Sequence, residues 1–73
     1  MKIVLYKTAT CPQCKIVKTK LEQKNIPFIE EMDETVMINN GIVNIPTLEV
    51  DGVCMDNIRQ INNWVNSQEA RNG

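Results

Sequence analysis

A short apolar run, Ile3-Val4-Leu5-Tyr6, is followed after four residues by Cys11-Pro12-Gln13-Cys14, and this pairing constrains the fold more than anything else in the chain. Four consecutive β-formers without polar alternation fit a strand covered on both faces. Thr8 to Thr10 then form a short loop. Pro12 suits the first residue of a helix, where its missing N–H costs nothing. Cys14, Val17 and Leu21 recur at spacings of three and four, which predicts a helix from about Pro12 to Lys24 with one apolar face, ended by Asn25. Pro27 to Met32 reads as a second strand. Strand, helix and strand in that order imply a parallel pair joined by a right-handed crossover.

The second half of the chain changes pattern. Asp33 is placed to cap a short helix through about Ile38, stopped by Asn39-Asn40-Gly41. Thr47-Leu48-Glu49-Val50 and Val53-Cys54-Met55 flank Asp51-Gly52, a dipeptide that favours a two-residue hairpin turn. Asp56 or Asn57 then caps a last helix, in which Ile58, Ile61 and Val65, helped by Trp64, form an apolar stripe. The predicted architecture is α/β, with order β-α-β-α-β-β-α and a four-stranded mixed sheet carrying helices on both faces. The sequence shows no repeat, linker or low-complexity tract. It reads as one domain over residues 1–66, with a frayed tail at 67–73.

With 73 residues the chain can build only a modest core, so its three cysteines must first be tested as staples. They fit that role poorly. Cys11 and Cys14 close too short a loop to restrain the unfolded chain, and Cys54 is left over. The early apolar run is too short for a signal peptide or a membrane span, so the expected setting is the reducing cytoplasm. There a Cys-X-X-Cys pair does chemistry or binds metal. The net charge of -1 hides a split: residues 1–25 hold six lysines against one acid, and the remainder two arginines against eight acids. A basic half around Cys11 favours a thiolate and steers acidic partners, or it is simply a solvated face. Three aromatics and no dense basic stripe argue against nucleic acid as a partner.

At the start of a helix, unpaired N–H groups and aligned peptide dipoles stabilise a negative sulfur, which lowers the Cys11 pKa. The sulfurs of first and fourth residues in such a turn can reach each other, so Cys11 can attack a disulfide and Cys14 can resolve the product. A zinc knuckle competes with this reading. Tetrahedral zinc needs four ligands, and a chain without histidine and with one distant extra cysteine could supply them only by pairing with a second copy. Asn44-Ile45-Pro46-Thr47 is the second candidate. Its proline either opens an edge strand or follows a cis bond that frees the Ile45 backbone to hold an extended substrate. Cys54 is expected to be buried, as most free cysteines are.

The element order, the Cys11-Pro12-Gln13-Cys14 pair and the Ile45-Pro46-Thr47 turn together resemble the glutaredoxin and thioredoxin families. The likeness runs over residues 1 to about 66. Length and compactness look most like small glutaredoxin-like redoxins, a group that includes hydrogen donors of ribonucleotide reductase. Gly41 to Leu48 is similar to the thioredoxin stretch around its cis proline. The resemblance implies a thioredoxin-like fold in a monomer, Cys11 as nucleophile, Cys14 as resolver, and Pro12 and Gln13 as the motif between them. It also implies that Pro46 is cis, with Ile45 and Thr10 flanking the substrate. The implied function is cytoplasmic reduction of protein disulfides without a tightly bound cofactor, recycled by glutathione or by a thioredoxin-reductase-like system. The alternative is a glutathione-dependent glutaredoxin acting on mixed disulfides. Against that alternative, Thr8 and Gln13 stand where glutathione-using members carry a basic residue and a tyrosine. Asp56-Asn57 replaces their Gly-Gly pair.

Overall fold

The computed structural model describes residues 1–69. Its elements follow the predicted order: β1 (Ile3–Tyr6), α1 (Pro12–Gln23), β2 (Ile29–Glu31), α2 (Glu34–Asn39), β3 (Thr47–Val50), β4 (Val53–Met55) and α3 (Ile58–Ser67). The sheet runs β2-β1-β3-β4, with β1 parallel to β2 and antiparallel to β3, and β3 antiparallel to β4. β1 is therefore central, which is why all four of its residues are apolar and buried.

Alternation along β1 divides the interior in two. Ile3 and Leu5 join Leu48 and Met55 beneath Val17 and Leu21 of α1 and Ile61 and Val65 of α3. Val4 and Tyr6 face the other way, against Met37 of α2, with Ile42 and Ile45 at the edge. Helices thus cover both faces. The α1/α3 side carries the larger core, and Leu5, Val17, Leu21, Leu48, Ile61 and Val65 are all fully buried there.

Local chemistry sets the ends of the elements. α1 stops with Asn25 in the left-handed region at φ 54°, while the Asn25 and Ile26 N–H groups bond back to the Glu22 and Leu21 carbonyls at 3.0 Å each. This closure turns Ile26 into the core. α2 ends in the same way: Gly41 at φ 73° lets its own N–H reach the Ile38 carbonyl, and the Ile42 N–H reach the Met37 carbonyl. Asp33 caps α2 by accepting from the Thr35 and Val36 N–H groups. Of the two candidates for capping α3, Asn57 does so, its Oδ1 taking the Arg59 and Gln60 N–H groups at 2.8 and 3.4 Å. Asp51 and Gly52, at φ 49° and 87°, turn the β3–β4 hairpin.

One boundary moved. The strand expected over Pro27 to Met32 contracts to Ile29–Glu31, because Ile26 and Phe28 are drawn to the core and Pro27 has no N–H to give a ladder. At the chain end, Ser67 closes α3, and residues 70–73 of the expected tail lie outside the described residues. Among the described residues no helix is long and apolar enough to cross a membrane.

Candidate active site

The site grows out of the junction between β1 and α1. Cys11 is the N-cap of α1, in extended conformation at φ -88° and ψ 109°, and Pro12 takes the first helical position as its fixed φ favours. Cys14 lies one turn inside. Its N–H donates to the Cys11 Sγ at 3.1 Å, so the outer sulfur sits where the helix offers unpaired donors. The two sulfurs are joined as a disulfide, with Cα atoms 5.3 Å apart. Cys14 is only 2% exposed and Cys11 half-buried, while Pro12 and Gln13 face solvent. A cleft of about 180 Å³ lined by Ala9, Thr10, Cys11, Pro12 and Lys15 opens at the outer cysteine. A sulfur from outside the protein can therefore reach Cys11 and not Cys14.

The Ile45–Pro46 bond is cis, the isomer the resemblance implies. Thr47, next along the chain, pairs with Tyr6 at the end of β1, so the ladder brings Pro46 and the Lys7–Cys11 loop to the same end of the sheet. Thr47 is buried and its hydroxyl donates to the Asn44 carbonyl at 2.6 Å, closing the turn around the proline. Ile45 is half-buried and shares a groove with Thr8, Met37 and Ile42. Among the described residues no group of three or more His, Cys, Asp or Glu side chains is arranged to hold a metal ion.

Lys7 is drawn away over β2. Its Nζ lies 3.3 Å from Glu30 Oε1, and Lys18 Nζ lies 2.8 Å from the same oxygen. The hydrogen bond from Lys18 is the largest influence on the Glu30 carboxyl and lowers its pKa; burial comes next and opposes it, and Lys7 adds to the lowering, so the group stays below its ordinary value. An unfolded glutamate titrates near ~4.3. The stabilisation from the lowered folded value is thus complete above that pH and is lost as pH falls through the folded value. Glu30→Gln is therefore expected to shrink the loss of stability between pH 7 and pH 3 in urea denaturation. An unchanged loss would mean that the two lysines do not hold the carboxylate.

Cys54 departs from expectation, since it is exposed rather than buried. The register explains it. Met55 pairs with Leu48 and points into the main core, so Cys54, one residue earlier and opposite Glu49, must face the other side near the sheet edge. There Glu49 Oε1 accepts from Tyr6 Oη at 3.2 Å and from Cys54 Sγ at 3.7 Å. Burial and then the Glu49 carboxylate push the Cys54 thiol up. Because the residue is open to solvent, the Glu49 and Asp56 charges are the firmer cause. A thiol so raised stays protonated at neutral pH and is a poor nucleophile.

Lys15 was not singled out from the sequence, although its position four residues after Cys11 places it over the same helical face. At the start of α3, Asp56 accepts from Asn44 Nδ2 at 3.2 Å. The adjoining N–H donors of α3 are occupied by Asn57, as described above.

Comparisons with known proteins agree with this architecture. The chain is similar over 92% of its length to the thioredoxin-like protein BC3987, solved as a mutant, with TM-score 0.73, 25% identity and 97% of that protein covered. It also matches, over its whole length, 18% of a Leishmania protein described as TDR1, a unique trimeric glutathione transferase, with TM-score 0.74 and 26% identity. No curated protein matches in sequence. The fold is thioredoxin-like, and the adjacent Cys11–Cys14 pair fits a thiol redox role. The glutaredoxin model matches residues 3–55, which include the cysteine pair, the cis proline and all four strands, so the chain belongs to the glutaredoxin family.

Proposed function

We propose that the protein is a dithiol reductase of protein disulfides, with Cys11 as nucleophile, Cys14 as resolving thiol, and Thr10, Ile45 and Pro46 flanking the bound substrate. The observation that carries the reading is the division between a half-buried Cys11 at the helix N-terminus and a buried Cys14 one turn inside it. In the reduced protein the Cys11 thiolate attacks one sulfur of the substrate disulfide. A Cys11–substrate bond forms, the substrate S–S bond breaks, and the other substrate sulfur leaves as a thiolate. Cys14 then gives up its proton and attacks Cys11 Sγ, which releases the second substrate thiol and closes the Cys11–Cys14 disulfide. Two electrons and two protons pass to the substrate. An external dithiol or two molecules of glutathione restore the pair.

A second reading, glutathione-dependent reduction of mixed disulfides, draws support from the family. Against it stands the entry to α3. There the Arg59 and Gln60 N–H groups are engaged by Asn57, and Asp56 adds a carboxylate where a glutathione carboxylate would approach. Two carboxylates brought together there would repel each other. Recycling separates the two readings. With insulin as substrate, a thioredoxin-reductase system is expected to sustain turnover at least about tenfold faster than glutathione with glutathione reductase, a difference of about 1.4 kcal/mol in barrier. Faster recycling by glutathione would favour the second reading and overturn the first.

A further inference from the structure

Lys18 is paired with the Glu30 carboxylate, and Lys24, the C-cap of α1, donates from Nζ to the Asn66 and Gln68 carbonyls at 3.1 and 2.5 Å. Lys20 Nζ lies 3.2 Å from Asn62 Oδ1, a neutral partner that leaves the lysine charge uncompensated. The Lys15 ammonium has no side-chain hydrogen bond or ion pair among the described residues, while its backbone N–H donates to the Cys11 carbonyl at 3.4 Å and the residue lines the cleft at Cys11. On its other side it lines a second, open depression of about 350 Å³ together with Ile16, Thr19, Lys20 and Gln23. The two depressions share Lys15, so one strip runs from the reactive cysteine along the exposed side of α1. Ile16 is 50% exposed within it.

The strip is basic without local compensation. The single acid before Ile26 is Glu22, and its charge acts on Lys18. A cation one turn from Cys11, an exposed isoleucine beside it and a second cation farther along match a segment carrying carboxylates and an apolar side chain. We infer that Lys15, Ile16, Thr19 and Lys20 dock an acidic segment of the disulfide-bearing partner, adjoining the cysteine under attack. This rests on the reductase reading and adds the chemistry of the partner. Four helical residues rise about 6 Å, so a carboxylate held by Lys15 lies about two extended residues along the partner from the attacked sulfur.

Pre-reduced protein is mixed in a single turnover with synthetic peptides bearing one intramolecular disulfide, flanked on the side following the second cysteine by four glutamates or by four serines. The second-order rate constant at low ionic strength is expected to be about fivefold larger for the glutamate peptide, falling towards equality in 0.5 M salt. Lys15→Gln is expected to lower the glutamate-to-serine ratio about twofold, and Lys15→Arg to keep it. Lys2→Gln, at the opposite end of β1 from the site, is expected to leave the ratio unchanged. Equal rates for the two peptides, or an equal effect of Lys2→Gln, would overturn the docking surface. Failure to reduce the serine peptide at all would instead overturn the reductase reading beneath it. Sedimentation with phosphatidylserine vesicles that is lost in Lys15→Gln would assign the strip to a lipid surface, and so would also overturn the inference.

Discussion

Cys11→Ser is expected to lower insulin reduction by more than about a thousandfold, because a serine hydroxyl is neither ionised at neutral pH nor able to form the mixed disulfide. Cys14→Ser should behave differently. Its Cys11 can still attack, but nothing resolves the product, so turnover stops after one event and the enzyme accumulates as a covalent adduct. Mass spectrometry without reductant reads this as protein plus one substrate molecule. Cys54→Ser should change neither result, since Cys54 lies on the α2 side of the sheet with its thiol pushed up. Appreciable activity in Cys11→Ser, or an adduct on Cys54 in its place, would refute the assignment of roles.

Leu5→Ala carries the largest expected loss of stability. Leu5 lies on the central strand, opposite Glu30 on one side and Leu48 on the other, with no exposure, and it packs into the core shared by α1 and α3. Truncating such a leucine costs about 2–5 kcal/mol, the spread depending on how far the surroundings collapse into the cavity. A domain of this length has a total stability of roughly 4–11 kcal/mol. The variant should therefore be marginally folded at 25 °C, with a urea midpoint far below that of the parent. A loss below about 1 kcal/mol would show that β1 is not the structural centre of the sheet.

Much of the architecture was legible because local and tertiary signals coincide. The Ile3–Tyr6 run can only be the strand with neighbours on both sides, and Pro12 can only begin a helix. Asn25, Gly41 and Asp51-Gly52 supply the left-handed backbone that the two helix ends and the hairpin require. Where the signals were shared between neighbours, the sequence left a choice. Asp56 and Asn57 both cap helices well, and only the path from β4 decides that Asn57 does so.

The remaining differences have tertiary causes. Pro27 to Met32 has strand-like composition, but the turn that ends α1 commits Ile26 to the core and leaves β1 to pair with only three residues of β2. The exposure of Cys54 follows from strand register, which a three-residue strand hardly encodes: either face suits Val53-Cys54-Met55 until Met55 is paired with Leu48. At the site, the cysteine pair was evident from spacing alone. The place of Lys15 in the Cys11 cleft, the diversion of Lys7 to Glu30 and the engagement of the α3 donors by Asn57 were not, because each depends on where a neighbouring element settles.

Cys11 and Cys14 are expected to form a reversible two-electron couple on which the protein's activity depends. Equilibration in graded thiol–disulfide buffers under argon, acid quenching, alkylation and peptide mass spectrometry test it directly. One transition is expected, confined to Cys11 and Cys14, with a midpoint between about -200 and -270 mV, while Cys54 stays alkylatable throughout. No reversible Cys11–Cys14 bond across that range, or a transition that includes Cys54, would contradict it.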